Sequence, residues 1–387
     1  MLEDGTPNEA MDRRNFAKKA ALGAAGASFL AGCGGGSTDA SGDAPNVQTQ
    51  PQVRWRLASS FTRSLDTIYG AAEVMAERLS ALTNGRFQIR SYPAGELVPA
   101  FEVLSNVQSG TAQMGHSASY YFIGKNPALA FDASVPFGLT ARQYNAWIYY
   151  GGGMELMRDV FADFNVINLP GGNTGMQMGG WFRQPVGSLD DMRGLKMRIP
   201  GLGGQVMDEM GVNVQVLPGG EIYPSLERGA IDAAEWVGPY DDEKLGFHEV
   251  AEYYYYPGWW EPGPALTFYV NRDAWNELPS AYQEALKSAA AEANVRMLAS
   301  YDQKNPPALE RLVEGGTKMR RFPDGVMERA QEITRQLLED RASADPTYRK
   351  IYDSYRQFRE DAYRWFGTAE RAYADFAFPQ PGKVAST

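Results

Sequence analysis

The chain has 387 residues, of which 44% are hydrophobic and 22% are charged, and its formal net charge at neutral pH is -10. This is a globular composition with enough apolar residues for two cores. The acidic balance argues against nucleic acid as a partner, because binding phosphates needs a basic surface. With two histidines and one cysteine, neither an internal disulfide nor a histidine- or cysteine-rich metal site is possible.

Residues 1–33 have the pattern of an export signal. Arg13 and Arg14 lead a basic segment, and the apolar stretch 20–30 that follows is too short to span a bilayer. Leu-Ala-Gly then precedes Cys33. The pattern resembles a bacterial twin-arginine signal joined to a lipoprotein signal, which implies lipidation of Cys33 and membrane attachment through that lipid anchor alone. The alternative for Cys33 is a stray thiol.

Residues 34–52 are rich in Gly, Ser, Asp and Pro, which indicates a flexible tether. Strands and helices are then expected to alternate: strands at Val53–Ala58, Phe87–Tyr92 and Ala112–Ser117, and helices at Thr67–Leu82 and Phe101–Gln108. This alternation predicts an α/β domain with a mainly parallel sheet, where ligands bind at the carboxyl ends of strands. Tyr120 and Tyr121 lie at such an end.

A mostly helical stretch, 141–161, comes next, and then the alternation restarts. Strands are expected at 166–169, 176–182, 195–199, 213–216, 231–236 and 265–270, and helices at 205–210, 221–228, 279–301 and 325–340. The second series predicts a second α/β unit. The last pattern, 347–376, is helical and rich in aromatic residues, so it either docks on a partner or packs on its own domain.

Arg198 is a charged residue in the apolar run Leu195–Ile199, which Pro200 and Gly201 end. Burying such a charge unpaired costs several kcal/mol, of the order of the usual penalties for buried charges. A guanidinium matches a carboxylate with two parallel hydrogen bonds, and each charged bond contributes about 1.5–3 kcal/mol. Arg198 therefore either holds the carboxylate of a small organic acid or forms a structural ion pair with Asp or Glu.

Three further residues carry oxygen atoms in apolar or rigid surroundings. Glu235, at the end of the run Ala233–Val237, is paired with an arginine, coordinates a cation, or acts as an acid with a raised pKa. Gln177 either ligates a hard cation or satisfies buried backbone. Glu261 lies in a loop of prolines, glycines and aromatic residues that includes Trp259, and such loops form either ligand pockets or ordinary core.

Common enzyme motifs are incomplete in this sequence. The glycines at 201–204 resemble part of a dinucleotide-binding loop, but Val206 stands at the last glycine position. The segment 115–119 lacks the final glycine of a nucleophile elbow. His116 and His248 have no zinc-site spacing around them.

Three segments, Leu195–Gly201, Ala233–Pro239 and Tyr253–Pro264, carry a family resemblance. From about Val53 to the C-terminus, the chain resembles the extracytoplasmic solute-binding subunits of tripartite ATP-independent periplasmic (TRAP) transporters. The likeness is to the subgroup that binds 2-keto acids and lactate. The Arg of Met-Arg-Ile-Pro-Gly is the most specific mark, whereas Trp260 stands where some relatives are expected to have a smaller polar residue.

The resemblance implies a role for each candidate residue. Arg198 binds the substrate carboxylate, and Gln177, Glu235 and the backbone carbonyl of Trp236 surround a metal ion that also contacts the substrate. An oxygen donor set of this kind suits sodium or calcium. The expected substrate residues are Arg198, Gln177, Tyr120, Tyr121, Trp236 and Trp259, and the expected metal residues are Gln177, Glu235, Trp236 and Glu261.

The resemblance also implies a two-lobed fold of the periplasmic-binding-protein type, with a hinge and a long C-terminal helix. Lobe I is expected to contain 53–174 with a return at 264–300, and lobe II 175–263 with 301–346. Residues 347–387 form the C-terminal helix and a possible homodimer contact.

In function, the resemblance implies a periplasmic receptor that delivers a monocarboxylate to a membrane permease. The alternative is an exported enzyme that acts on such acids with Glu235 as general acid or base.

Overall fold

A computed structural model describes residues 50–378; the export signal, Cys33 and most of the tether lie outside this part of the chain. The strands are Val53–Ser59 (β1), Phe87–Tyr92 (β2), Met114–Ser117 (β3), Val166–Asn173 (β4), Trp181–Phe182 (β5), Lys196–Arg198 (β6), Asn213–Gln215 (β7), Ala233–Ala234 (β8), Tyr253–Tyr256 (β9), Ala265–Asn271 (β10) and Lys318–Arg321 (β11).

The α-helices in the same range include one of 35 residues and two of 21 residues near the C-terminus. They are Gly70–Leu82 (α1), Val103–Gln108 (α2), Ala141–Tyr150 (α3), Gly153–Ala162 (α4), Gly201–Glu209 (α5), Gly219–Glu227 (α6), Pro239–Lys244 (α7), Phe247–Val250 (α8), Arg272–Asn276 (α9), Ser280–Glu314 (α10), Asp324–Ala344 (α11), Pro346–Phe366 (α12) and Ala372–Ala377 (α13).

The strands form two sheets, and the mixed α/β fold with two lobes agrees with the prediction from the sequence. Sheet A has the strand order β2-β1-β3-β10-β4, and sheet B has the order β11-β9-β5-β8-β6-β7. In each sheet one strand opposes the others: β10 in sheet A and β5 in sheet B are antiparallel to both of their neighbours. The remaining strands of each sheet share one direction, so their carboxyl ends meet at a single edge.

The two opposed strands follow the points where the chain crosses between the sheets. The chain leaves sheet A after β4 and enters sheet B through β5, and it leaves sheet B after β9 and returns through β10. Helix α10 makes the third crossing, because it connects β10 in sheet A with β11 in sheet B by way of α9. The exact lobe limits given above stay predictions.

Five predicted strands are shorter in the structure, and two of them are reduced to two residues each. The strand expected at 176–182 is reduced to β5, because Gly175 and Gly180 have φ of +74° and +79° and so leave the β-region. A side chain at Gly180 would also bring its Cβ to 2.6 Å from the carbonyl oxygen of Ala234, so only glycine fits there. The strand expected at 231–236 is reduced to β8, which places Glu235 just past its carboxyl end.

Helix α10 continues to Glu314, thirteen residues beyond the predicted end, although it contains Pro306 and Pro307. Its second half lies against α7, where the Tyr301 hydroxyl donates to the buried carboxylate of Asp241 over 2.6 Å. Near this junction Asp66, which follows β1, forms ion pairs with Lys244 of α7 and with Lys304 of α10. These contacts join the sheet A half to the sheet B half at the surface.

The C-terminal helix packs on its own chain through its first half. Tyr348, Ile351, Tyr352 and Tyr355 of α12 are buried, and all three tyrosine rings contact Phe131. The Tyr355 hydroxyl accepts a hydrogen bond from the backbone N–H of Leu139 over 2.8 Å. Near the C-terminal end, four large apolar side chains are exposed: Trp365, Tyr373, Phe376 and Phe378.

Within residues 50–378, no helix is both long and apolar enough to cross a membrane.

We expect a chain that ends at Asp345 to unfold or aggregate. Burial of each large side chain of α12 contributes about 1.5–3 kcal/mol. Loss of the four would therefore cost free energy comparable to the stability of a whole domain, which is about 5–15 kcal/mol. Thermal unfolding followed by circular dichroism measures this effect. A chain that ends at Phe366 is the control and keeps the midpoint within a few degrees. An unchanged midpoint for the shorter chain would show that α12 is not part of the core.

Candidate functional site

A cavity lies where the carboxyl edges of the two sheets face each other. Its accessible volume is about 10 Å³, which is room for about one water molecule. A larger ligand therefore fits only when the cavity walls move apart. The lining residues are Phe61, Ile68, Tyr120, Tyr121, Thr174, Gln177, Arg198, Trp236, Val237, Pro264 and Leu266.

Arg198 is the last residue of β6, and only 1% of it is exposed. The parallel pairing of β6 with β8 sets Arg198 opposite Ala234, so Glu235 is the next residue along the neighbouring strand. The Nε–H of Arg198 donates to the carbonyl oxygen of Leu217 over 3.0 Å, and Nη1 donates to the carbonyl oxygen of Glu235 over 2.9 Å. The buried Nη2 has no hydrogen-bond partner among the described residues.

Arg198 and Glu235 form an ion pair between Nη1 and Oε1, and both side chains are 1% exposed. Burial lowers the pKa of Arg198, but the Glu235 carboxylate together with the hydroxyl groups of Tyr121 and Tyr120 more than compensates and holds that pKa above its usual value. Burial raises the pKa of Glu235, and the positive charge of Arg198 opposes that rise. The structural ion pair considered from the sequence is therefore present, yet the pair leaves one guanidinium nitrogen available to a ligand.

Three buried side-chain oxygens in this region have no hydrogen-bond partner in the described structure: Gln177 Oε1, Glu235 Oε2 and Glu261 Oε2. Gln177 and Glu261 lie on the two crossing segments, and the backbone N–H of Gln177 donates to the Glu261 carbonyl oxygen over 3.3 Å. Burial and the negative charge of Glu235 raise the pKa of Glu261 well above its usual value. Unpaired buried oxygens of this kind are costly unless a donor or a cation satisfies them.

Aromatic side chains enclose Arg198 on two sides. The Trp236 ring lies beneath the guanidinium, with the ring centroid 5.2 Å from Cζ of Arg198, which is a cation–π geometry. Tyr120 and Tyr121 occupy a 3₁₀ turn after β3, and their rings meet edge to face at 4.9 Å. Burial raises the pKa of Tyr121 to about 12, and that of Tyr120 well above its usual value. Both hydroxyls therefore stay protonated at neutral pH and can donate hydrogen bonds.

Three predicted site residues are not part of the cavity lining: Trp259, Glu261, and Glu235, which is the ion-pair partner of Arg198. Trp259 stacks on Phe137, with 5.1 Å between the ring centroids and 14° between the planes, and packs beside Trp260 in the core of the sheet B half. The structure therefore gives no support to Trp259 as a substrate residue. Glu261 is buried, and its carboxyl group is close enough to interact with the carboxylate of Glu235 and the guanidinium of Arg198.

The apolar part of the lining was not assigned from the sequence. It consists of Phe61 after β1, Ile68 before α1, Val237 after β8, and Pro264 and Leu266 around the start of β10. Phe61 follows the carboxyl end of a predicted strand, which was the one signal in the sequence for its position. The others depend on how distant segments pack together.

A solute-binding protein is the class that this two-lobed fold, with a small cavity between the halves, defines. The family model for bacterial extracellular solute-binding proteins, family 7, matches residues 58–345 of the chain. The chain therefore belongs to this family.

A relative from Nostoc sp. is 55% identical over 327 residues, which cover 84% of this chain and 90% of the relative. It is named a monocarboxylate 2-oxoacid-binding periplasmic protein.

Two crystal structures of TRAP solute-binding proteins share the fold. The protein from Bordetella bronchiseptica, a dimer of mixed occupancy with copurified calcium and picolinate, is 48% identical, with a TM-score of 0.84 over 85% of this chain and 98% of that one. The protein from Pseudoalteromonas atlantica, with bound sodium and pyruvate, is 39% identical, with a TM-score of 0.81 over 84% and 99% of the two chains.

These proteins are periplasmic receptors of TRAP transporters, so the chain is a receptor and not an enzyme.

We expect Arg198→Met to lower the free energy of unfolding by about 3–5 kcal/mol, because it leaves the Glu235 carboxylate buried without a counter-charge. Adding Glu235→Gln should restore a large part of that loss, since the double variant contains neither buried charge. Urea unfolding of the ligand-free proteins measures the coupling.

The control for this cycle is the exposed pair of Arg321 and Asp324, whose removal should change stability by less than about 1 kcal/mol. Additive effects of the two changes at Arg198 and Glu235 would mean that the buried charges do not stabilise each other.

Proposed function

We propose that this receptor captures a small 2-oxo monocarboxylate together with a sodium or calcium ion and delivers the acid to a membrane permease. The observation that carries this proposal is the unpaired Nη2 of Arg198 in a small cavity beside the unpaired oxygens of Gln177, Glu235 and Glu261. The relatives support it through their names and ligands: a 2-oxoacid in Nostoc sp., and pyruvate with sodium in Pseudoalteromonas atlantica. Lactate, the corresponding hydroxy acid, is the second candidate.

In this proposal Arg198 receives the ligand carboxylate through Nη2, and the neutral hydroxyls of Tyr120 and Tyr121 are further donors. The guanidinium is held rigidly, because its other nitrogens are already bonded to Leu217 and Glu235. A rigid donor loses little freedom on binding, which favours affinity. The apolar residues Phe61, Ile68 and Leu266 would then surround the methyl group or short alkyl chain of the acid.

The oxygen donors fit a hard cation. Gln177 Oε1, Glu235 Oε2, Glu261 Oε2 and the Trp236 carbonyl would hold it, and sodium and calcium both prefer oxygen ligands. When bound, the cation supplies positive charge beside the ligand's carboxylate and neighbouring oxygen. Within residues 50–378 there is no group of three or more His, Cys, Asp or Glu side chains suited to a metal. The set proposed here has two carboxylates and otherwise neutral oxygens.

We extend the proposal to location and assembly. Cys33 is the predicted lipid attachment point and Arg13-Arg14 the predicted twin-arginine signal, both outside the described residues. A homodimer is supported by the exposed aromatic residues Trp365, Tyr373 and Phe376, and by the dimer found for the Bordetella bronchiseptica protein.

We expect the acid and the cation to bind with reciprocal coupling, because they share one site. Calorimetric titration of pyruvate into metal-stripped protein should give weak binding, and added sodium or calcium should strengthen it by about 5- to 150-fold, the usual range of such coupling. Glu235→Gln should weaken binding of the cation and, through it, of pyruvate. Glu227→Gln, on the exposed face of α6, is the control and should change neither. Equal pyruvate affinity under all three conditions would contradict a bridging cation.

The site requires movement of the two halves. Arg198 is almost completely buried between residues of both halves, so a ligand reaches it only when the cleft opens. We expect small-angle scattering to give a smaller radius of gyration with saturating pyruvate and calcium than without them. Arg198→Lys should reduce the change, since an ammonium group cannot replace the planar guanidinium. Identical scattering profiles with and without ligand would exclude a hinged closure.

A further inference from the structure

Behind the cavity wall of the sheet A half lies a buried carboxylate, Asp132. It is the last residue of the 3₁₀ helix Pro127–Asp132 and is 2% exposed. In the described part of the chain it makes no ion pair, and Arg158 is the cation that acts on it from a distance. A buried anion without a counter-ion is costly, so its hydrogen bonds must hold it in place.

Three side chains donate to the Asp132 carboxylate. The hydroxyls of Ser119 and Thr267 donate to Oδ2 over 2.5 and 2.6 Å, and the amide of Asn168 donates to Oδ1 over 3.2 Å. Ser119 also lies 2.8 Å from the Tyr269 hydroxyl. Burial raises the pKa of Asp132 to about 6, and the bonds from Ser119, Thr267 and Asn168 limit the rise. Asp132 is therefore mainly ionised at neutral pH and only accepts hydrogen bonds.

Two of these donors are direct neighbours of cavity residues. Ser119 begins the 3₁₀ turn that carries Tyr120 and Tyr121, and Thr267 follows Leu266 on β10. Leu266 lines the ligand space while Thr267 donates to Asp132, and the register of β10 against β4 is irregular between these two residues. One carboxylate oxygen thus ties together two separate segments of the same cavity wall.

We propose that Asp132 is a positioning residue for ligand binding, which fixes the Tyr120–Tyr121 turn and Leu266 against the bound acid through Ser119 and Thr267. This inference rests on the proposed function, because it assigns the cavity to a small organic acid. In Asp132→Asn, the side-chain NH₂ group would face either the hydroxyls of Ser119 and Thr267 or the amide of Asn168. In both orientations one set of donors loses its acceptor, and the wall segments lose their common anchor.

The test is the dissociation constant of pyruvate in saturating calcium, measured by calorimetry for the wild-type protein and three variants. Asp132→Asn should weaken binding by about 10- to 100-fold, the range found for outer groups that orient ligating residues. Ser119→Ala, which removes one donor and keeps the fold, should weaken it by at least threefold. In the double variant the two effects should not add, since both act through the same contact.

The control is Tyr144→Phe, which removes a hydrogen bond to the backbone carbonyl of Asp132 (2.8 Å) and leaves the carboxylate contacts in place. We expect it to lower the melting temperature while the dissociation constant stays within a factor of two. If Ser119→Ala and Asp132→Asn lower the melting temperature with unchanged affinity, Asp132 is only structural and the inference is wrong. If the wild-type protein binds no pyruvate with either cation, the proposed function fails as well.

Discussion

The buried ion pair between Arg198 and Glu235 is the constraint on which the site depends. Removing two charges from water costs several kcal/mol each, and an ion pair offsets this only with good geometry and further hydrogen bonds. The register of β6 against β8 supplies that geometry, since Glu235 directly follows the residue paired with Arg198. The backbone hydrogen bonds between β6 and β8 thereby fix the position of the guanidinium before a ligand binds. Nε and Nη1 are bonded to Leu217 and Glu235, so Nη2 is the nitrogen of the guanidinium that remains for recognition.

The two-sheet arrangement decides what surrounds this ion pair. Because all strands but one run the same way in each sheet, both sheets offer their carboxyl ends to the cleft. The opposed strands β5 and β10 follow the crossing segments, which carry Gln177 and Glu261 between the sheets. Oxygen atoms from these segments can therefore meet at the middle of the cleft, where neither sheet alone could assemble them.

Charged residues in apolar runs made part of this site predictable from the sequence. Arg198 and Glu235 both interrupt short apolar runs of the sequence, and such a charge needs a partner wherever the run is buried. Periodicity also predicted the alternating strands and helices of both halves. Periodicity did not predict the positive φ of Gly180, which shortens β5.

Composition did not separate the aromatic residues of the cleft from those of the core. Trp259 and Trp236 are both predicted site residues, yet Trp259 stacks on Phe137 whereas Trp236 lines the cavity, because the position of each ring depends on long-range packing. The sequence did not indicate the hydrogen bonds that the Asp132 carboxylate accepts, because their donors are 13 to 135 residues away along the chain.

Charge balance links the ion pair to the need for a cation. Glu235 and Glu261 bring two carboxyl groups to a buried region that contains one guanidinium, and burial together with the Glu235 charge raises the pKa of Glu261, because a second carboxylate there has no counter-charge. A 2-oxo acid adds a further negative charge, and in a medium of low dielectric constant like charges at contact distance repel strongly. A sodium ion offsets one of these charges and a calcium ion offsets two. A receptor with this residue set is therefore better suited to an acid that arrives with a hard cation than to an acid alone.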